Sequence, residues 1–299
     1  MPLTEIKYDI QLIESINKMI KEEMGVSSRV INSSFEIYSL IEKSFQEAKS
    51  IVVDDGVGQR NGNVKYDFEG KILDIQYFIL NFRDRKYMEK YAEAKGINND
   101  AKSIVLYNKR KNENKYVLNG IWLYGVSISG TIQKSELLDG IQHELEHVYQ
   151  QFKMGNDFGK EDVIGYVNDG LKSSDPFEFN VANLVYMSFK YEQEGFANGL
   201  YAYCASDPTH YNDRFLSSPA YKKLLQLKEG RKFLEENISD EHLAKVLEKY
   251  KVLGITQENI LRKLDKTINE CIRRFGRVFC KVMKDINSRM RDGKIDRLL

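Results

Sequence analysis

Histidine, proline and cysteine are scarce in this chain, and net charge is nearly absent. The 299 residues include 4 His, 4 Pro, 3 Cys and 1 Trp. Three cysteines (Cys204, Cys271 and Cys280), far apart in sequence, exclude a disulfide framework, and a reducing, cytoplasmic compartment is expected. A formal net charge of +1, from 45 basic and 44 acidic residues, excludes a global pull toward nucleic acid or anionic lipid. No apolar run approaches membrane-spanning length. The N-terminus, MPLTEIKYDIQLIES, lacks the basic and apolar regions of a signal peptide. There is no internal repeat and no low-complexity segment. What remains is a globular composition, 42 % hydrophobic and 30 % charged, long enough for one large domain or two ordinary ones.

The shortage of histidine makes its placement informative. Two of the 4 histidines stand at i and i+4 in His143-Glu144-Leu145-Glu146-His147. Random placement of these residue types gives fewer than about 0.01 such H-E-x-x-H matches per chain. The surrounding segment reads as a helix. Ser135 is the expected N-cap, Glu136 and Asp139 occupy the first turn, and Gly155 is the expected stop. Leu137, Leu138, Ile141, Leu145, Val148 and Phe152 recur at helical spacing and form one apolar stripe. The two histidines lie roughly opposite that stripe, with Gly140 one turn earlier leaving their face open. Imidazoles at i and i+4 are neighbours on a helix and can hold one metal ion. Zinc suits them, and a catalytic zinc takes three protein ligands and a water. Glu144 stands beside the ligands as general base. The same five residues also read H-x-x-E-H, with Glu146 as base; the first reading is favoured because that pattern is the commoner. Gln150 and Lys153 occupy the places where a metzincin continuation needs Gly and His.

Elsewhere the pattern predicts helices over residues 5–24, 33–49 and 85–95. A loop is expected over 54–63, and strands are expected in VKYDF and KILDIQYFILNF on either side of Glu69-Gly70. Two more strands, SIVLYNKR and KYVLNGIWLYGVSIS, precede the motif helix; an edge strand in this place would offer backbone groups to an extended peptide. A polar loop, NDFGKEDVIGYVNDGLKSS, follows the motif helix and is expected to cover a cleft. Asp175-Pro176-Phe177-Glu178 then opens a helix, with N-cap, Pro at N1 and acid at N3. Helical pattern runs to Cys204 with a break near Ser188, and residues 217–299 read as helical throughout. The expected fold is α+β: N-terminal helices and a mainly antiparallel sheet packed on the zinc helix (1–134), a helical zinc-binding core (135–210) and a C-terminal helical part (211–299).

A third ligand is needed downstream, and Glu194 is the first choice. Asn198 at i+4 and Tyr201 at i+7 share its face, and Gly195, Gly199 and Ala202 form a small-residue stripe beside it. Glu192 is the main alternative, with Glu178, His210, Asp175 and Cys204 behind it. His210, Tyr201 and Tyr149 are candidate oxyanion donors; His210 also reads as a surface-loop histidine, and His242 as exposed.

Together, His143, Glu144, His147 and Glu194 resemble the gluzincins, zinc metallopeptidases with H-E-x-x-H and a glutamate from a second helix. Glu194-Gly195-Phe196-Ala197-Asn198 has the E-x-x-A-N form of the ImmA/IrrE-type peptidases. Asn198 stands where several gluzincins have an aspartate that orients a histidine. The resemblance covers residues 135–204. It implies hydrolysis of a peptide or protein substrate by a water activated on Zn2+, with Glu144 as base, and a sheet packed on the zinc helix. A different class is also open: a metal-binding structural or regulatory protein without peptidase activity. From Arg262 to Leu299 there are 12 basic and 5 acidic residues, so the C-terminal helix offers such a protein a contact for an acidic partner or nucleic acid. Its apolar seam, Leu261, Leu264, Ile268, Cys271, Phe275, Val278 and Val282, is expected to pack on the chain's own helices, and a monomer is expected.

Overall fold

Glu69 (φ 55°) and Gly70 (φ 75°) both adopt positive φ, the backbone that a two-residue type I′ hairpin turn requires and that glycine takes without steric cost. In the computed structural model they join β1 (Val57–Phe68) to β2 (Lys71–Phe82). The Asp67 carboxylate closes the turn by accepting from the Gly70 N–H at 2.9 Å. The structure describes residues 28–50, 57–82, 86–87, 90, 103–112, 115–128, 134–154 and 164–291 apart from Pro208. The helix expected over 5–24 lies outside the described residues, as does nearly all of that expected over 85–95.

The hairpin is longer than its sequence suggests. β1 pairs antiparallel with β2 from Phe68↔Lys71 out to Val57↔Phe82, so most of the loop expected over 54–63 is strand. The polar, glycine-bearing half of β1 is held by register with the apolar β2. Gly62 stands opposite Tyr77, and the Tyr77 ring fills the space where a side chain would be: a Cβ there would collide with its hydroxyl oxygen.

β3 (Ser103–Asn112) and β4 (Lys115–Ile128) form a second antiparallel pair. The sheet order is β1-β2-β4-β3, with β2 and β4 parallel. The sequence left open which strand is the edge, and the pairing decides it. β4 is internal and paired on both sides, and the edges are β1 and β3.

Two helices pack on this sheet: α1 (Ser28–Ser50) and the motif helix α2 (Lys134–Met154). They pack on each other, α1 also on β1 and β2, and α2 on β3 and β4. The stripe read from the sequence is the buried one: Leu137, Leu138, Ile141, Leu145 and Val148 of α2 are at most 1 % exposed, each contributing roughly 1.5–3 kcal/mol of hydrophobic stabilisation. Ser135, expected as N-cap, is instead buried within the first turn, because the helix starts at Lys134.

The chain divides into two compact units between Lys160 and Glu161. The division falls inside the 135–210 segment grouped above around the site. The second unit is helical. It begins with α3 (Ile164–Leu171), within the segment expected to be a loop; apolar Ile164, Val167 and Leu171 at helical spacing are the signal there. α4 (Pro176–Ser188) starts as expected: Asp175 Oδ1 accepts from the Phe177 N–H at 3.0 Å, with Pro176 at the first position. Extended Phe189 (φ −70°, ψ 123°) separates it from α5 (Lys190–Ala205), at the expected break.

A short α6 (Tyr211–Ser217) precedes α7 (Pro219–Glu236) and α8 (Glu241–Tyr250). These two are capped by Ser218 and Asp240. A 3-10 turn, Lys251–Leu253, ends at Gly254 and leads to α9 (Ile260–Arg291). α9 packs on α4, α5 and α7. Leu264, Ile268, Cys271, Phe275, Val278 and Val282 are buried there, so the apolar seam is covered by helices of the same chain. The three cysteines are buried. Among the described residues no helix is long and apolar enough to cross a membrane. Helical and sheet parts together make the chain α+β.

Candidate metal centre

α2 fixes the two histidines of the motif by its own geometry. One turn apart, the imidazoles face each other edge to face, with ring centroids 4.8 Å apart at 87°. Their Nε2 atoms are 3.1 Å apart. Two nitrogens bound tetrahedrally to one zinc at about 2.05 Å would be separated by about 3.3 Å. The pair is therefore spaced as ligands of a single ion. His147 is buried and His143 partly so. The helix is anchored beside them: Ser34 Oγ on α1 donates to Gln142 Oε1, in a buried bond of 3.4 Å.

Among the described residues, His143, Glu144 and His147 form the group that can hold a metal ion, with ligand atoms all within 4.8 Å of one another. Glu144 and Glu146 are both buried, so burial does not separate the two candidate bases. Glu144 belongs to the group with the imidazoles and Glu146 does not.

Gln150 was not among the sequence candidates. It is buried on the next turn of α2, and its Oε1 lies 3.1 Å from His147 Nδ1. An amide oxygen only accepts, so this contact favours the tautomer with the proton on Nδ1, which would leave the Nε2 lone pair toward His143. This is the arrangement by which an outer partner fixes the tautomer and ring angle of a metal-binding histidine. The available signal was the i+3 spacing from His147, which places the two side chains on one face.

The other candidates lie in the helical unit. Glu194 on α5 pairs with Arg274 Nη1 at 3.3 Å and Lys190 Nζ at 3.7 Å. Arg274 also donates through Nε to Gln193 Oε1 at 2.8 Å, tying α5 to α9. Asn198 is buried on α5. The Tyr201 hydroxyl donates to Asp285 Oδ2 at 2.7 Å. Glu192 is buried and acts electrostatically on Lys223, whose ammonium stands 5.2 Å over the Tyr186 ring.

His210 is on an exposed turn, its Nδ1 within 3.2 Å of both Asp207 carboxylate oxygens, the surface-loop setting weighed for it above. Asp175 caps α4 and accepts from His242 Nε2 at 2.7 Å. Burial pushes its carboxyl up, but bonds from His242 and the Phe177 N–H outweigh that and hold it below the usual range. Glu178 is held low by bonds from Lys249 and Ser173. His242 is exposed, Cys204 is buried in α5, and Tyr149 sets its ring edge-on to Phe68 at 6.5 Å.

Comparison with protein-family models, curated proteins and solved structures finds no match to this chain.

Proposed function

We propose that this protein is a zinc-dependent metallopeptidase of gluzincin type. The observation that supports this best is the pair of imidazole Nε2 atoms 3.1 Å apart with the Glu144 carboxylate in the same group. Imidazole nitrogens are donors that zinc prefers. In this reading His143 and His147 hold the ion, and Glu194 is the third ligand on the sequence argument above. When bound, zinc supplies a Lewis acid that polarises a scissile carbonyl and brings a water pKa toward 7. Glu144 takes a proton from the attacking water and returns it to the leaving amide nitrogen. Gln150 keeps the proton of His147 on Nδ1, and Asn198 and Tyr201 belong to the surroundings of the third ligand. The zincin-like packing of the sheet on the metal helix is part of the same proposal.

The test is hydrolysis of a broad peptide library by zinc-loaded protein. Wild type is expected to cleave. Glu144→Gln is expected to keep zinc and fold while losing several orders of magnitude in rate. Zinc-loaded wild type that cleaves nothing would favour the second reading, a metal-binding assembly protein. That reading draws on the exposed basic residues Arg262, Lys266, Arg273 and Lys284 of α9, which suit an acidic partner.

A further inference from the structure

The helical unit holds a cavity of about 280 Å³. One side is apolar. Leu184 and Val185 of α4 are buried there, with Phe189 at the helix break and Leu253 and Ile255 flanking Gly254. Gly254 adopts φ 64°, a left-handed backbone that fixes the turn. The other side is a polar stripe on α9.

Thr267 is only 4 % exposed and lines the cavity. One turn earlier, Lys263 Nζ donates to the Leu253 carbonyl at 3.2 Å and keeps two further N–H donors. Lys266 stands at the lip, 4.0 Å from Glu270, and that carboxylate also accepts from Gln193 at 3.4 Å. The lip thus sets two ammonium groups against one carboxylate that already has other partners.

We infer that this cavity binds a small monocarboxylate with an apolar body. The body lies against Leu184, Val185 and Ile255, and the carboxylate meets Lys263 while accepting from the Thr267 hydroxyl. Lys263 and Thr267 are i and i+4 on α9, so one head group reaches both. A cavity of about 280 Å³ suits a small ligand of about ten non-hydrogen atoms. A charged head on an apolar chain matches both walls, whereas a neutral alcohol of equal length leaves the ammonium groups unmet.

Octanoate is the probe, titrated calorimetrically into the full-length protein. A Kd on the order of 0.1 mM is expected for a ligand of this size, with 1-octanol at least tenfold weaker. Lys263→Glu should weaken octanoate at least tenfold. Thr267→Val, which keeps shape and removes only the hydroxyl, should weaken it severalfold with an unchanged melting curve. Three results would overturn the inference: no saturable binding at millimolar octanoate, octanol binding as tightly as octanoate, or octanoate affinity unmoved by both substitutions. A peptide with a C-terminal leucine that bound more tightly than octanoate would also overturn it, by assigning the cavity to a protein partner.

Discussion

Replacing Gln150 by leucine removes the acceptor that holds the His147 ring while nearly conserving side-chain volume. His147 and Gln150 are 2 % and 5 % exposed, so no bulk water is at hand to substitute for the lost bond of 3.1 Å. A buried N–H left without a partner costs about 1–3 kcal/mol. Loss of an outer partner to a metal-binding histidine costs about 10–100-fold in metal affinity, or about 1.4–2.7 kcal/mol. The two estimates agree, and Gln150→Leu is expected to weaken zinc by that factor. Gln150→Glu keeps an acceptor in place and should bind zinc at least as tightly as wild type. Competition with a chelating indicator at neutral pH measures the affinities, and thermal melts of the apo forms check folding. A folded Gln150→Leu protein that binds zinc within twofold of wild type would show that His147 is not held through Nδ1.

Four further outcomes are expected. Glu146→Gln should be mild in the peptide assay beside Glu144→Gln; if it were the inactive one, the inverted motif would be right. Glu194→Ala should lower zinc affinity far more than Glu192→Ala, and the reverse order would move the third ligand to Glu192. Burial pushes the Lys223 ammonium down to about 8 from 10.5, with Glu192 pulling it back up. Below about 8 the folded and unfolded chains are both protonated and the folded state bears the full cost; between about 8 and 10.5 the unfolded chain binds more protons, so this group's contribution to stability rises with pH. Lys223→Met should therefore be more stable than wild type at neutral pH by about 1–3 kcal/mol, an advantage that shrinks as denaturation midpoints are followed to higher pH; a constant difference would refute the assignment. Phe275→Ala, in the buried seam of α9, should cost about 3–5 kcal/mol in chemical denaturation, and a cost below 1 kcal/mol would place the ring outside a packed core.

Local rules carried well where one element decides its own environment. The α2 stripe, the Asp175-Pro176 start of α4 and the turn at Glu69-Gly70 are each set by neighbours within one or two turns, and each could be read from the sequence. The outer half of β1 could not: Gly58, Asn61 and Gly62 read as loop, and only the pairing with β2, out to Val57↔Phe82, makes them strand. The parallel contact of β2 with β4 was equally hidden, since no local period distinguishes an internal strand from an edge. At the metal centre the motif gave the imidazoles and Glu144, but the partner of His147 required knowing the ring orientation. The bond from Glu194 to Arg274 joins residues too far apart in sequence for spacing to reveal.

The sheet order also sets a sequence of events in folding. The hairpin β1–β2 closes from adjacent residues, Phe68 and Lys71, on the microsecond scale of an isolated hairpin. The parallel pairing joins Asp74 to Gly120, and its loop-closure entropy must be met before any ladder bond forms. β4 precedes α2 in the chain, and α2 rests on β3 and β4. The histidine pair can form within α2 as soon as that helix does, but its support from the sheet comes only with the slower, long-range step. A metal ion added during refolding would then be expected to meet the histidine pair before the sheet that supports its helix is complete.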